Sequence, residues 1–281
     1  ELRRSFDFGL RQAATRVEQR MASYEQMLRG VRGLFESSGP VTAHDFACYV
    51  DLLQTGADFA GLRTIGHVPL QADGTARVLY RSPATGPQIT PPGADLLAHP
   101  ALRAAMLQAR DAGGAAITPL LRPATPDGGT EAGLLLFMPV YAQGMALRTL
   151  ADRRAKISGR VFAAFRVGDL VSSLYGEGTP GLDLRIHDGA STDAASRMDQ
   201  ASAADGPPGP ARFEAQEYIG VAGHTWTLWA RSTPAFELQP GQDTARVIAV
   251  AGSGLALVLG LLAWLLVTGR ERAHALARRM T

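Results

Sequence analysis

The side chains that could do chemistry are scattered along this sequence and form no recognisable catalytic pattern. No G-x-S-x-G, H-E-x-x-H, P-loop or paired-cysteine motif occurs, and no pair of carboxylates marks a site. No two histidines lie at metal-ligand spacing on one predicted element. The six are His44, His67, His99, His187, His224 and His274. We therefore expect no catalytic residue, no metal site and no cofactor, which favours a binding or sensory module over an enzyme.

Cys48 is the only cysteine of the chain. A single thiol cannot close an internal disulfide, so the fold must be held by its hydrophobic core. The stretch Phe46–Tyr49 is apolar and aromatic, which predicts that Cys48 is a small buried hydrophobe. No base is prominent beside it in the sequence, so we expect no nucleophilic role.

The stretch Gly176–Gly181 matches G-x-G-x-x-G by letter. A dinucleotide-binding fingerprint follows a strand and opens a helix. Here the stretch follows a predicted helix, contains Pro180 and leads into a predicted strand. We therefore interpret it as a turn.

Composition indicates a folded protein without affinity for polyanions. Of the 281 residues, 46% are hydrophobic and 19% charged, and the formal net charge is only +2. The small charge gives no indication of nucleic-acid binding. Lys156 is the only lysine and asparagine is absent, a bias typical of GC-rich bacterial genes. The first residue is Glu1 and not methionine, which indicates a start within a longer protein or after processing.

One segment predicts a membrane crossing near the C-terminus. Val247–Gly269 contains no charged residue, and about 20 apolar residues suffice for a transmembrane helix. A buried core helix is the alternative, but such helices rarely lack charge over so long a run. Arginines follow the segment at positions 270, 272, 278 and 279, whereas only Arg246 immediately precedes it. The positive-inside rule then predicts a helix over 246–269 in the bacterial inner membrane, with residues 1–245 outside and the C-terminus cytoplasmic.

Residues 2–37 predict one long helix, ended by Ser37–Pro40. Its apolar positions recur every three or four residues, at Phe6, Leu10, Ala13, Val17, Met21, Tyr24, Leu28, Val31 and Phe35. Two interpretations are compatible with each other: the stripe packs on its own domain, or it pairs with a second chain. We predict a homodimer whose contacts include Leu10, Val17, Met21, Tyr24 and Leu28.

The remaining pattern is α+β, with antiparallel sheets and flanking helices. Helices are predicted at 43–54, 100–112 and 167–175, and strands at 62–70, 76–81, 115–122, 133–142, 159–166, 182–187, 212–218 and 225–231. Residues 189–210 are small, polar and rich in Pro and Gly, which indicates a loop or linker.

Several local strings stand in a characteristic order and spacing: Val41–Phe46, Leu62–Pro69, Gly93–Pro100, Met106–Gly113, Ile117–Pro119, Leu134–Tyr141 and Gly159–Phe165. Together they resemble the CHASE domain, the extracellular sensory module of bacterial and plant histidine kinases and cyclases. The resemblance covers roughly Phe35 to Leu174.

The resemblance implies a fold and a domain order. A stalk helix (1–38) precedes a distal PAS-like subdomain (39–150) that holds the ligand and a membrane-proximal PAS-like subdomain (151–240). The transmembrane helix (246–269) and the start of a cytoplasmic linker (270–281) follow. It also implies a transmembrane helix before Glu1 and cytoplasmic signalling domains after Thr281.

The resemblance further implies a ligand site. An Asp matching Asp95 hydrogen-bonds the ligand, and residues matching Ile117, Gly133, Phe137 and Ala164 lie in or near the pocket wall. The strands add Leu135 and Val140 as apolar candidates, although strand alternation turns only some of these side chains to one cavity. Phe137 stands where the plant receptors have a smaller polar residue, so we do not expect a cytokinin. Asp95 could instead cap a local turn.

These inferences predict an extracytoplasmic small-molecule sensor, most simply of a bacterial sensor histidine kinase. Its expected partners are an unidentified small molecule, a second copy of the chain, the lipid bilayer and cytoplasmic output domains. One alternative is the sensor of a diguanylate or nucleotide cyclase. Others are a membrane-anchored enzyme with an unrecognised site and a structural partner without a pocket.

Overall fold

A computed structural model describes residues 1–55, 59, 61–83, 93–123, 130–144, 147–176, 181–198, 211–238, 251–262 and 264. The helices are α1 (Leu2–Ser37), α2 (Ala43–Thr55), α3 (Pro100–Ala112), α4 (Leu150–Lys156), α5 (Val167–Gly176) and α6 (Pro234–Glu237), with a 3₁₀ turn at Leu96–Ala98. The strands are β1 (Leu62–Pro69), β2 (Tyr80–Ser82), β3 (Ala116–Ile117), β4 (Gly133–Tyr141), β5 (Ile157–Arg166), β6 (Leu182–Asp188), β7 (Glu214–Val221) and β8 (His224–Ser232). This confirms the α+β class with antiparallel sheets and a long N-terminal helix.

The apolar stripe of α1 packs against the chain's own core. Tyr24 is fully buried, and its ring lies 4.6 Å from Phe165 of β5 and 5.7 Å from Phe59. The residues predicted to contact a second chain are all covered within one chain: Leu10, Val17, Met21, Tyr24 and Leu28. The first of the two interpretations therefore describes this stripe, and a dimer through α1 would have to use another face of the helix.

Helix α2 begins with a reciprocal capping box. The Thr42 hydroxyl accepts a hydrogen bond from the Asp45 backbone N–H, and the Asp45 carboxylate accepts one from the Thr42 backbone N–H. Its buried face carries Phe46 and Val50. Cys48 lies two residues from each, which turns it to the opposite side of the helix. The prediction that Cys48 is buried is therefore wrong: the thiol is exposed, with Sγ 3.6 Å from Nε2 of His44.

The first sheet has five antiparallel strands in the order β2-β1-β5-β4-β3. Strand β5 lies at its centre, with Ala163 opposite Ile65 of β1 on one side and Leu136 of β4 on the other. The predicted boundary between 150 and 151 cuts through this sheet, because β5 follows it in the sequence. Sequence order alone does not reveal that this last strand inserts between two earlier ones.

The second sheet has three antiparallel strands in the order β6-β8-β7. It is tied to the first sheet by hydrogen bonds from the last residue of β3 and from the segment that follows it. The Ile117 backbone N–H donates to the Ala222 carbonyl at 3.2 Å, and the Leu120 N–H donates to Oδ2 of Asp188 at 2.8 Å. The Gln108 side chain of α3 also donates to the Gly223 carbonyl.

Two predicted strands are much shorter than expected. The strand predicted from Ala76 begins only at Tyr80, because the Ala76 N–H donates to Asp95 and its carbonyl accepts from Leu96. The strand predicted at 115–122 is regular only at Ala116–Ile117, although Leu121 forms an isolated bridge to Gly133. In both places the backbone donors and acceptors are satisfied outside a regular ladder.

Several predictions concern residues that lie partly outside the described ones. Within the predicted membrane segment, residues 251–262 and 264 are described and are helical. Among the described residues, no helix combines the length and the apolar character needed to cross a membrane. Residues 246–250, 263 and 265–281 lie outside the described part, as do 177–180 of the G-x-G-x-x-G stretch and 199–210 of the predicted linker.

Candidate functional site

The two faces of the first sheet have different coverings. Strand register places Leu134, Leu136 and Phe165 on the face that contacts α1, as the Tyr24–Phe165 contact shows. The opposite face, which we call the α3 face, carries Leu135, Phe137, Phe162 and Ala164. These four residues form one buried cluster with Leu102, Ala105, Met106 and Ala109 of α3, and with Val68, Ala76, Leu96 and Ala116.

The predicted ligand-site residues divide between these two faces. Leu135, Phe137 and Ala164 lie together on the α3 face, where Ala164 is directly opposite Leu135. Ile117 is opposite Leu136 of the other face, and Val140 shares the parity of Leu136 along β4. Both side chains therefore point away from the α3 face. Gly133 lies at the start of β4, opposite Arg166, and adds no side chain.

Asp95 lies at the edge of the α3 face and has a structural role there. Its Oδ1 accepts hydrogen bonds from the backbone N–H of Ala76 at 2.9 Å and of Leu97 at 3.0 Å. The second bond caps the 3₁₀ turn. The structure therefore shows the alternative role of Asp95, in which its carboxylate caps a local turn. Oδ2 makes no hydrogen bond within the described part of the chain, so ligand contact through this second oxygen stays a prediction.

Arg160 is the polar residue of the α3 face that sequence reasoning missed. It lies on β5 opposite Val68 and Pro139, with the same parity as Phe162 and Ala164, and is only 3% exposed. Its Nε and Nη1 are buried without a hydrogen-bond partner among the described residues. Burial, with a further contribution from the charge of Arg110, lowers the pKa of Arg160. A charged residue within the apolar run 159–165 was the signal in the sequence.

The surroundings of Arg160 contain more basic than acidic groups. Arg110 Nε donates to Asp111 Oδ1 at 2.7 Å, and Arg154 Nη2 donates to Asp111 Oδ2 at 2.6 Å. These two guanidinium groups hold the pKa of the Asp111 carboxyl well below its usual range. The Tyr141 hydroxyl donates to the Arg110 carbonyl at 2.8 Å. Asp111 is thus committed to other arginines, and Arg160 lies close to positive charge.

A second buried polar group, His67, lies on the α1 face. Its ring stacks on Phe35 with centroids 3.9 Å apart, its Nδ1 has no hydrogen-bond partner among the described residues, and the residue is 8% exposed. Burial lowers the pKa of His67 to about 4. His67 is therefore neutral near pH 7 and belongs to the aromatic core between α1, α2 and β1. Within the described residues, no three His, Cys, Asp or Glu side chains are placed to hold a metal ion.

Comparison with protein families identifies the segment that contains this face. Residues 69–198 match the family model described as "CHASE domain". The chain carries a CHASE domain. The match begins later than the predicted Phe35 and extends beyond Leu174. It includes α3, β4, β5, Asp95 and Arg160, so the α3 face belongs to the CHASE domain.

The CHASE domain is an extracellular sensory domain, which gives the general function of this chain. It is the extracellular sensor of a signalling receptor, and its CHASE domain is extracytoplasmic. No curated protein sequence matches the chain.

Two solved structures superpose on most of the chain at low sequence identity. The periplasmic sensory domain of the Campylobacter jejuni chemoreceptor Tlp1 superposes with a TM-score of 0.51 at 9% identity, covering 86% of this chain and 99% of that chain. The ligand-binding domain of the Pseudomonas aeruginosa PAO1 amino acid chemoreceptor PctB, in complex with L-Arg, gives 0.48 at 13% identity, covering 82% and 94%. At these identities the comparison with Tlp1 establishes similarity of fold alone.

Proposed function

We propose that this CHASE domain is the small-molecule sensor of a bacterial transmembrane histidine kinase and binds its ligand on the α3 face. The observation that carries the proposal is the position of the cluster under α3. Nearly all of it lies within the matched segment 69–198. Two polar residues adjoin it: Asp95, which accepts from the Ala76 N–H, and Arg160, which is opposite Val68. An apolar site with few fixed polar groups is the usual form of a small-molecule site.

A hydrogen-bonded path supports transmission from this face to the long helix. Tyr141, the last residue of β4, donates through its hydroxyl to the Arg110 carbonyl of α3. Its backbone N–H donates to Oε1 of Glu36, in the last turn of α1, at 3.0 Å. A displacement of α3 on ligand binding would therefore act on Tyr141 and, through it, on the end of α1. A ligand that favours one of two arrangements of these elements would bias the receptor between two states.

The proposed orientation places residues 1–245 in the periplasm and the C-terminus in the cytoplasm, as the distribution of arginines around 247–269 predicts. The proposed assembly is a homodimer in the inner membrane, with cytoplasmic output domains after Thr281. Reporter fusions at 240 and after Thr281 test the orientation. A cytoplasmic reporter that is inactive after Thr281 would contradict it. Ligand-dependent autophosphorylation of the full-length receptor tests the kinase output, and ligand-dependent synthesis of a cyclic nucleotide instead would contradict it.

Asp95 offers a sharp test of the site, because Asn retains an Oδ1 acceptor for the two backbone N–H groups but removes the charge. We expect Asp95→Asn to unfold at nearly the wild-type temperature. We also expect it to lose most of the stabilisation caused by a ligand found in a thermal-shift screen of the chain. Losing a hydrogen bond to a carboxylate costs about 1.5–3 kcal/mol, or roughly ten- to a hundredfold in affinity.

Asp73→Asn is the matched control, because Asp73 also accepts a backbone N–H, from Thr75, in an exposed turn. It should leave the ligand response unchanged. An unchanged response in Asp95→Asn would remove the Asp95 charge from the site. Asp95→Ala should lose stability even without ligand, since it removes the cap as well as the charge.

A further inference from the structure

Arg160 is a buried cation for which the described residues supply no anion. Its strand β5 lies between β1 and β4, so the side chain leaves the sheet at its centre and not at an edge. Its cross-strand neighbour Val68 and its neighbour two residues along, Phe162, both belong to the cluster under α3. The Arg160 side chain therefore borders the apolar site proposed for the ligand.

The unsatisfied state of Arg160 is costly. A guanidinium group carries five N–H donors and no acceptor. Buried charges in proteins are normally paired, and a buried polar atom without a partner calls for an explanation. Arg160 makes no hydrogen bond or ion pair with any residue that the structure describes, and two of its nitrogens are inaccessible to solvent. The charge of Arg110, which has the same sign, adds to the effect of burial in lowering the pKa of Arg160, and Tyr141 opposes it.

The nearby carboxylates are already used by other groups. Asp111 binds Arg110 and Arg154, and Glu36 accepts from the Tyr141 N–H and pairs with Arg32 at 3.3 Å. A second macromolecule cannot supply the missing anion either, because a residue only 3% exposed presents no surface to it. Only a ligand small enough to enter between the first sheet and α3 would reach the guanidinium group.

We propose that Arg160 is a ligand-binding residue that receives the carboxylate of a small organic acid, whose apolar part contacts Phe162 and Leu135 on the α3 face. This inference rests on the proposed function, because it places the acid in the sensor site. A single carboxylate matches one guanidinium in charge and geometry. The rest of the cluster is apolar, so it offers no further donors for the additional oxygens of a phosphate.

The test uses the whole chain in detergent and defined probes. Phenylacetate and 4-methylpentanoate carry one carboxylate on an apolar body, and phenylacetamide and 4-methylpentanamide are their neutral counterparts. We expect the acids to raise the unfolding temperature and to bind by calorimetry, and the amides to bind much more weakly. Arg160→Met keeps the length of the aliphatic stem and removes the charge. It should weaken binding of the acids by about tenfold or more.

The exposed residue Arg103 of α3 provides the matched control. Arg103→Met should bind the acids as the wild type does. Without any probe, Arg160→Met should be at least as stable as the wild type, because it removes an unpaired buried charge. Equal binding of the acids by Arg160→Met and the wild type would overturn the inference.

A measurement on the wild type covers the case in which Arg160→Met does not fold. The measurement is an NMR spectrum of the chain labelled with ¹⁵N-arginine, in which a buried Nε–H gives a resonance because it exchanges slowly with solvent. The resonance of Arg160 is assigned as the one that is missing from the spectrum of Arg160→Lys. It should shift saturably as phenylacetate is added. A resonance that does not move, or an equal effect of inorganic phosphate, overturns the carboxylate assignment.

The two proposals fail in distinguishable ways. If the acids and the amides bind equally, and Asp95→Asn weakens both, the α3 face is the sensor site and only the role of Arg160 is overturned. If phenylacetate moves the Arg160 resonance but ligand binding never changes the output of the receptor, the inference stands and the proposed function fails.

Discussion

His224 Nε2 lies 2.6 Å from Oδ1 of Asp188, which joins the start of β8 to the end of β6. The other oxygen of the same carboxylate, Oδ2, accepts the backbone N–H of Leu120 at 2.8 Å, in the segment that follows β3 of the first sheet. Asp188 therefore links a titratable ring in the second sheet to the backbone of the first. This arrangement makes the connection between the two sheets sensitive to the protonation state of His224.

The first prediction concerns pH and His224. The hydrogen bond to Asp188 raises the pKa of His224, against the opposing effect of burial. A raised folded-state pKa gives stability that is fully present below the unfolded value of about 6.5 and is lost as pH rises through the folded value. His224→Ala should therefore cost more stability at pH 6 than at pH 8.5, by on the order of 1 kcal/mol because the pair is partly exposed.

Urea unfolding at the two pH values measures this difference. His99→Ala is the control, since the His99 side chain makes no capping hydrogen bond. A cost of His224→Ala that is the same at both pH values would show that the Asp188 contact does not depend on the charge of the ring.

His67 should show the opposite pH dependence. Burial lowers its pKa to about 4, so the unfolded chain binds a proton between about pH 6.5 and 4 and the folded chain does not. The stability contributed by the neutral ring is therefore lost as pH falls through this window. The loss is at most about 3–4 kcal/mol, from 1.36 kcal/mol for each unit of pKa difference.

His67→Phe should reduce this acid sensitivity, because a phenyl ring can occupy the place on Phe35 without titrating. Chemical unfolding at pH 7, 5.5 and 4.5 compares the variant with the wild type. His44→Phe, at an exposed position of α2, is the control and should leave the sensitivity unchanged. The same acid-induced loss in His67→Phe and the wild type would assign the effect to other groups.

Gly66 of β1 has no room for a side chain. A Cβ built there overlaps the ring of Phe162 on the neighbouring strand β5. Gly66→Ala should destabilise the chain by about 1–3 kcal/mol through displacement of that ring. Gly220→Ala is the matched control in strand β7, because a Cβ there meets nothing within 4 Å. Thermal unfolding that lowers both variants equally would contradict this account.

The buried stripe of α1 should report on folding and not on dimerisation. Val17 is buried within the single chain, and Val17→Asp places an unpaired charge in the core, at a cost of several kcal/mol. We expect it to unfold at low denaturant concentration. Asp substitutions at the exposed residues Gln19 and Ala22, on the other side of the helix, are the controls and should leave the stability nearly unchanged. Val17→Asp with wild-type stability would show that the stripe is not part of the core.

The homodimer predicted through α1 is tested on this exposed side. In a Cys48→Ser background, which removes the exposed native thiol, cysteines at Gln19 and Ala22 should cross-link in membranes. A cysteine at Val17 should not. Cross-linking only at Val17 would return the dimer contact to the buried stripe, and no cross-linking at any position would exclude α1 as the dimer contact.

The spacing of apolar residues predicted the helices that bury one face against the core. It could not predict elements without buried residues. Helices α1 and α3 show this spacing, whereas strands β4 and β5 were predicted from continuous apolar runs that are buried on both faces of the sheet. Helix α4 was not predicted because none of its residues is buried. It is stabilised by a capping box in which Thr149 and Asp152 each bond the other's backbone N–H.

The site was predictable in part, for a related reason. The strands named by the resemblance are present in the fold, but register determines which of their side chains share a face. The register sends Leu135 and Phe137 to the α3 face and Ile117 and Val140 to the other. The structural role of Asp95 depends on its hydrogen bond with Ala76, which lies 19 residues earlier in the sequence. No local pattern encodes such a contact.

The central position of β5 also determines how this sensor can be exchanged between receptors. A chimera that joins a foreign sequence at 150 would remove the strand that holds β1 and β4 together. The edges of β1 and β4 that face β5 would then have no hydrogen-bond partner within the sheet. A transferable cassette must therefore continue through β5 and α5 to at least Gly176, where the chain passes on toward the second sheet. A graft that ends there transfers β5 into a new receptor together with the strands on both sides of it.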